Sequence, residues 1–176
     1  MSNYLIDYSD WSDEGGYCQV YPIKNKQGWI FKEFKNKKKA QESLSLQKKL
    51  AKHDLAPKIY SKLCRLHFMP EDGYSPEEPS DWGYITECAK TYEANTKISM
   101  KDIQELVENI YDKTKLKFWD CHWYNVGIVY RNTKKKLVCI DTGKESFDTN
   151  CNAWGMATPG PKCCYCNKFQ CKCSEV

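Results

Sequence analysis

The sequence predicts an α+β fold of short strands and two amphipathic helices, and three observations carry that prediction. Trp29-Ile30-Phe31-Lys32-Glu33-Phe34 and Trp82-Gly83-Tyr84-Ile85-Thr86-Glu87 are β-prone runs preceded by turn signals. Apolar residues recur at helical spacing through 37–53 and again from Ile103 to Tyr111. Phe118–Gly143 reads as a polar loop, a short strand, a polar hairpin, a second short strand and an acidic residue at its end.

At 176 residues the chain fits one compact domain or two very small lobes. A hydrophobic content of 41% with 14% aromatics is enough to bury a core, which excludes global disorder. The net charge of +4, from 27 basic and 23 acidic residues, is too mild to indicate a nucleic-acid partner by itself. No apolar run approaches membrane-spanning length, and Met1–Asp7 lacks the basic and apolar regions of a signal peptide. A cytoplasmic protein with no membrane partner is therefore expected. In that compartment its 11 cysteines, an odd number, read as reduced thiols or metal ligands rather than a disulfide framework.

Taken in order, Asp13–Tyr21 is Gly-rich and then turns apolar, Lys24–Gly28 is a turn, and Trp29–Phe34 is a strand. Gly15 and Gly16 would let backbone N–H groups approach phosphates with no Cβ in the way. Lys32 follows Val20 by twelve residues, inside the apolar strand. The helix over 37–53 carries Ala40, Leu44, Gln47, Leu50 and Ala51 on one stripe and is ended by Asp54-Leu55-Ala56-Pro57. Glu42, in its first half, is the candidate counter-charge for Lys32, since a buried Lys needs one to stay ionised. The basic run Lys35–Lys39 reads as a solvated face. Lys58–Leu66 reads as a strand, 69–81 as a polar loop, and Trp82–Ala89 as a strand and its exit. Ser99 is the expected N-cap of a second helix, with Asp102 at its third position and Ile103, Leu106, Val107, Ile110 and Tyr111 as its apolar stripe.

That helix leads into Asp120-Cys121-His122-Trp123-Tyr124-Asn125, with Asp141-Thr142-Gly143 beyond the hairpin. An Asp, an Asn and a second Asp presented together suit two tasks. One carboxylate can orient and deprotonate a hydroxyl, while the amide and the other carboxylate hold Mg²⁺ on a nucleotide's phosphates.

The ordered set of Gly-rich hairpin, strand Lys, helix Glu, strand exit, amphipathic helix, Asp-x-x-x-x-Asn and Asp-x-Gly resembles the protein-kinase-like superfamily across residues 13–147. The resemblance implies a minimal bilobal fold over 1–148, with an N-lobe over about 1–88 and a reduced C-lobe over about 89–148. It implies Asp120 as catalytic base, Asn125 and Asp141 as Mg²⁺ ligands, and ATP contacts from Gly15, Gly16, Val20, Lys32 and Glu42. Glu87, Cys88 and Ala89 match the hinge whose backbone pairs with adenine. The Asp-x-His-x-x-Asn form is closer to aminoglycoside phosphotransferases and atypical small kinases than to typical Ser/Thr kinases. Cys18 stands for the last glycine of the loop, Asp13 for the first, Phe118 for the His two residues before Asp120, and Thr142 for the Phe of Asp-Phe-Gly. Almost nothing resembles an activation segment or the large substrate lobe, a trimming similar to that of small phage-encoded kinase-like proteins.

Residues 149–162 read as a linker, followed by Cys163-Cys164-Tyr165-Cys166 and Cys171-Lys172-Cys173. Two tight turns offering Cys163, Cys166, Cys171 and Cys173 suit tetrahedral Zn²⁺, with Cys164 as the alternative to Cys163 and Cys151 as a further candidate. Lys162, Lys168 and Lys172 admit a nucleic-acid-binding knuckle, and protein docking or stabilisation is equally open. The expected activity is Mg²⁺- and ATP-dependent phosphoryl transfer to a hydroxyl, with protein Ser/Thr as the acceptor and autophosphorylation included. The alternatives are a catalytically weak pseudokinase-type nucleotide-binding module acting through a protein partner, and a small-molecule kinase. The oligomeric state is left open.

Overall fold

The computed structural model describes residues 4–7, 12–14, 18–68, 79–91 and 98–148. They form a mixed α+β structure with two α-helices, one four-stranded sheet and three two-stranded pairings. The chain divides into two compact units, Met1–Ser45 with Lys58–Cys88, and Leu46–Pro57 with Ala89–Val176. No described helix is long and apolar enough to cross a membrane.

The first unit contains strands β1 (Leu5–Ile6), β2 (Ser12–Glu14), β3 (Gln19–Pro22) and β4 (Trp29–Phe34). Helix α1 (Lys37–Ala51) follows, its first part belonging to this unit, and then β5 (His67–Phe68) and β6 (Trp82–Glu87). The main sheet is antiparallel in the order β2-β3-β4-β6, and β1 pairs with β5 in parallel. Strand alternation places Tyr21, Phe31 and Ile85 on one face, where they pack with Ile6, Ile23 and Leu66. Phe34 and Tyr84 lie on the other, under Ala40 and Leu44 of α1. The hydroxyls of Ser43 and Tyr84 meet at 2.9 Å and fix the helix on that face. Asn36 starts α1 as its N-cap, its side-chain oxygen accepting the Lys38 N–H at 2.8 Å.

Residues 58–66 lie beside β6 but do not form the continuous strand that their composition predicts. Only isolated bridges form, at Ile59 and Cys64. Backbone bonds from Tyr60 N–H to Ile85 O and from Glu87 N–H to Lys58 O are interleaved with side-chain ones: the Ser61 hydroxyl accepts the Ile85 N–H, the Thr86 hydroxyl donates to Lys58 O, and the Glu87 carboxylate accepts the Lys58 N–H. Glu33 is buried in β4 and accepts the Asp81 N–H at 2.7 Å. Burial pushes its carboxyl above the ordinary range, the Asp81 N–H partly opposing this and the Asp81 charge adding to it. A raised carboxyl pKa in the folded state means that stability falls as pH rises from the ordinary Glu range through the folded value. Glu33→Gln keeps an oxygen for Asp81 N–H and removes the buried charge. Its thermal midpoint should therefore exceed that of wild type at pH 7, with the difference shrinking on acidification. A variant no more stable at pH 7 would contradict this account.

The second unit contains the end of α1, helix α2 (Met100–Thr114), and strands β7 (Lys117–Phe118), β8 (Val126–Arg131), β9 (Lys134–Cys139) and β10 (Phe147–Asp148). Strands β8 and β9 form an antiparallel hairpin, and β7 pairs with β10. Its core gathers Leu50 and Leu55 with Ile103, Leu106, Val107 and Ile110 of α2, and with Phe118, Val126, Ile128, Cys139 and Phe147. Helix α1 ends in a left-handed residue, Asp54 at φ 56°, with Leu55 N–H bonded to Leu50 O and Asp54 N–H to Ala51 O. The Asp54 carboxylate holds Arg131 at 3.3 Å and Lys136 at 3.9 Å. Helix α2 begins with the reciprocal cap expected from sequence. The Ser99 hydroxyl accepts the Asp102 N–H at 3.1 Å, and the Asp102 carboxylate accepts from Ser99 N–H and Oγ, each at 2.8 Å. These donors hold the Asp102 carboxyl below its usual range. Ser99→Ala should cost about 1 kcal/mol, read as a fall of about 2–4 °C in the melting midpoint.

Candidate active site

Asp120, Asn125 and Asp141 come together in the second unit. A short 3-10 turn at Trp123–Asn125 brings Asn125 back over the loop, and its N–H bonds to His122 O at 2.9 Å. The Asn125 amide nitrogen donates to Asp120 O at 2.8 Å and stands 3.1 Å from Asp120 Oδ2. Asn125 O in turn accepts Ile140 N–H at 3.0 Å and lies 3.4 Å from Asp141 N. One residue thus ties the loop that carries Asp120 to the strand end that carries Asp141.

Asp141 is turned onto its own loop. Its Oδ1 accepts Gly143 N–H at 2.9 Å and its Oδ2 accepts the Ser146 hydroxyl at 2.6 Å. Ser146 O also accepts the Trp119 N–H at 3.2 Å, so the residue that orients Asp141 also braces the chain next to Asp120. Behind them lies a buried polar link. The fully buried Gln47 donates to Pro57 O at 3.0 Å, and the buried Thr142 hydroxyl reaches Gln47 Oε1 at 3.5 Å. The Thr142 hydroxyl thus links the Asp141 loop to α1.

His122 Nε2 lies 3.0 Å from the Asn125 amide nitrogen and 3.5 Å from Asp120 Oδ1, while its Nδ1 is buried with no partner among the described residues. Trp119 and Tyr124 flank Asp120 in sequence, both with exposed rings. The sequence reading singled out neither Ser146 nor Thr142 as a support for Asp141. Short side chains that cap a neighbouring carboxylate carry no signal beyond their closeness in sequence.

Asn125 and Asp141 suit a hard divalent cation by their chemistry: a side-chain carbonyl oxygen not used in the loop contacts and a carboxylate, on residues joined through their backbones. Both oxygens of Asp141 already accept hydrogen bonds, yet each keeps a lone pair. Among the described residues no three His, Cys, Asp or Glu side chains gather as a metal site. Two protein oxygens suffice when phosphates and water supply the remaining ligands, as is usual for Mg²⁺.

The other described candidates fall in both units. In the first unit Val20 and Lys32 are cross-strand partners, and alternation puts Lys32 on the α1-covered face of the sheet with Phe34 and Tyr84. Lys32 is buried. Glu42 is half-buried on α1, well round the helix from the stripe of Ala40, Ser43, Leu44 and Gln47. Glu87 spends its carboxylate on the Lys58 N–H, and Cys88 N–H bonds to Gly28 O at 2.8 Å. In the second unit Ala89 and Lys90 run beside β8, where Lys90 and Ile128 exchange hydrogen bonds at 2.8 and 2.7 Å. Gly127 permits this approach, because a Cβ there would lie 2.9 Å from that of Ala89. Gly15, Gly16, Cys151, Cys163, Cys164, Cys166, Cys171 and Cys173 lie outside the described residues. The chain matches no protein-family model and no curated protein sequence.

Proposed function

We propose that the chain is a minimal protein-kinase-like phosphotransferase that moves the γ-phosphoryl group of ATP to a hydroxyl, with protein Ser/Thr as acceptor. The observation that carries this reading is the convergence of Asp120, Asn125 and Asp141 through the Asn125 amide and backbone carbonyl. The order of motifs along the chain supports it, and the acceptor class rests on the family resemblance alone. In the proposed step the acceptor oxygen bonds to the γ-phosphorus, the bond from that phosphorus to the β–γ bridging oxygen breaks, and ADP leaves. The acceptor's proton passes to the Asp120 carboxylate. Asn125 holds the loop through its amide nitrogen and leaves its carbonyl oxygen, with Asp141, to hold Mg²⁺. When bound, that ion offsets charge on the phosphates and orients them. Val20, Lys32, Glu42, Glu87, Cys88 and Ala89, with Gly15 and Gly16, are the proposed nucleotide contacts, and Cys163, Cys166, Cys171 and Cys173 the proposed zinc ligands.

A second reading, a nucleotide-binding module of weak catalytic power that acts through a protein partner, draws on one observation: both oxygens of Asp141 are engaged by its own loop. Incubation with γ-labelled ATP and Mg²⁺, alone and in cell lysate, separates the two. Label on protein that is lost in Asp120→Asn and Asp141→Ala supports the phosphotransferase. Mg²⁺–ATP binding that is lost in Asp141→Ala, without label in any sample, supports the binding module. Absence of both sinks both readings.

A further inference from the structure

We infer that the first unit carries a binding platform for single-stranded nucleic acid, built on the Tyr60 ring and the lysines that flank it. The inference does not rest on the phosphotransfer reading. Residues 58–62 read Lys-Ile-Tyr-Ser-Lys and run along the edge of the main sheet, outside β6. Tyr60 N–H to Ile85 O at 2.9 Å and Glu87 N–H to Lys58 O at 2.8 Å hold them there. Exposure alternates along the segment: Lys58, Tyr60 and Lys62 are exposed, while Ile59 and Ser61 are half-buried. Ile59 packs with the cluster of Phe34 and Tyr84. Tyr60 goes to the opposite face, where its ring lies on that of Trp29, with centroids 4.2 Å apart and planes at 16°.

A surface Tyr between two lysines is ordinary by itself, and the support beneath this one is not. Trp29 opens β4 in register with Glu87 and packs against the cluster of Tyr21, Phe31 and Ile85. Tyr4 leans on the same indole at 5.7 Å, and Lys26 Nζ lies 5.4 Å from the Trp29 ring and 5.8 Å from that of Tyr4. The indole therefore holds the Tyr60 ring in one plane while the residue stays 38% exposed. A ring already held in place loses little freedom when a second flat ring stacks on it. Lys26, Lys58 and Lys62 are exposed and form no ion pair among the described residues. The Glu87 carboxylate, which lies beside them in register, accepts the Lys58 N–H at 3.0 Å. A supported π-face with cations before and after it in sequence matches the two parts of a nucleotide, a flat base and a phosphate. An acidic peptide would answer the lysines but makes no use of the ring plane. A duplex keeps its bases stacked on one another, out of reach of a ring on a sheet edge.

The test measures binding of fluorescently labelled oligothymidylate to the full chain, at a length of about 20 nucleotides, above the site size of one small domain. The oligonucleotide should bind more tightly than a duplex of equal length. Its affinity should fall with salt at a log–log slope of at least about 2, from about 0.7 for each phosphate neutralised by Lys26, Lys58 and Lys62. Tyr60→Ala should weaken binding at least about fivefold, the low end of one base stack, and Tyr60→Phe less than about twofold. Lys58→Gln combined with Lys62→Gln should reduce the slope by about 1.4. Both lysines are exposed, so this pair decides alone if Tyr60→Ala does not fold. No binding, binding unchanged in these variants, or a preference for duplex overturns the inference. Equal displacement by polyglutamate overturns it in favour of an acidic protein partner.

Discussion

On the proposed phosphotransferase reading, replacing Asp120 by Asn should lower phosphoryl transfer by about 10²–10⁴-fold, the usual contribution of a positioned proton acceptor. This corresponds to about 3–5.5 kcal/mol of transition-state stabilisation at 1.36 kcal/mol per decade. The loss should fall on kcat, because the variant preserves nearly everything else. The bond that closes the loop runs from the Asn125 amide to the Asp120 backbone carbonyl, which the substitution leaves untouched. The side chain is 35% exposed, so the isosteric amide meets no packing penalty. Mg²⁺–ATP affinity and the melting midpoint should stay close to wild type. A variant that keeps more than about a tenth of the wild-type rate would remove Asp120 from the proton-accepting role.

Gly83→Ala should give the largest loss of stability. A Cβ at Gly83 would lie 2.1 Å from Lys32 O and 2.5 Å from Phe31 Cζ. Neither can retreat cheaply, since Phe31 and Lys32 are ladder partners of Ile85 and Tyr84, and Gly83 itself is registered with Glu33. The variant must separate β4 from β6 or drive Phe31 out of its cluster with Tyr21 and Ile85. A cost on the order of 3 kcal/mol is expected, seen as a fall of about 6–12 °C in the melting midpoint. Gly28→Ala is the control: nothing lies within 4 Å of its Cβ position, and only the backbone conformation at φ 77° opposes the change. Its cost should be about 1–2 kcal/mol. Equal melting points for the two variants would refute the steric account of Gly83.

The parts of the fold legible in the sequence were those with a period or a cap. The stripe from Ile103 to Ile110 and the Ser99–Asp102 pair specify α2 almost completely, and the same residues are buried and bonded in the structure. The two-residue strands β1, β5, β7 and β10 are too short to carry any period, so their pairings arise only from tertiary contact. Lys58–Leu66 has strand composition, but its backbone bonds to β6 are interrupted and hydroxyl and carboxylate side chains share the ladder. At the site, residue type and order were enough to select Asp120, Asn125 and Asp141. The supports from Ser146, and from Thr142 through Gln47, depend on side-chain direction and could not be read in advance. Glu42 is a different case. The helical phase that puts Ala40, Leu44 and Gln47 on one stripe also puts Glu42 off it, and the residue is half-buried in the structure.

The β8–β9 ribbon has a consequence for how copies of this chain meet. Among the described residues β9 pairs only with β8, which leaves its far side without a strand neighbour, although Leu55 O takes the Cys139 N–H there. A bare strand edge is a template for adding another chain's strand, the first step toward ordered aggregates. Here the outer half of that edge reads Lys134-Lys135-Lys136, the first two exposed and the third half-buried against Asp54. Lining up a second copy along it would bring ammonium groups against ammonium groups at strand spacing. The lysines that make the hairpin polar thus also protect the chain against its own self-association.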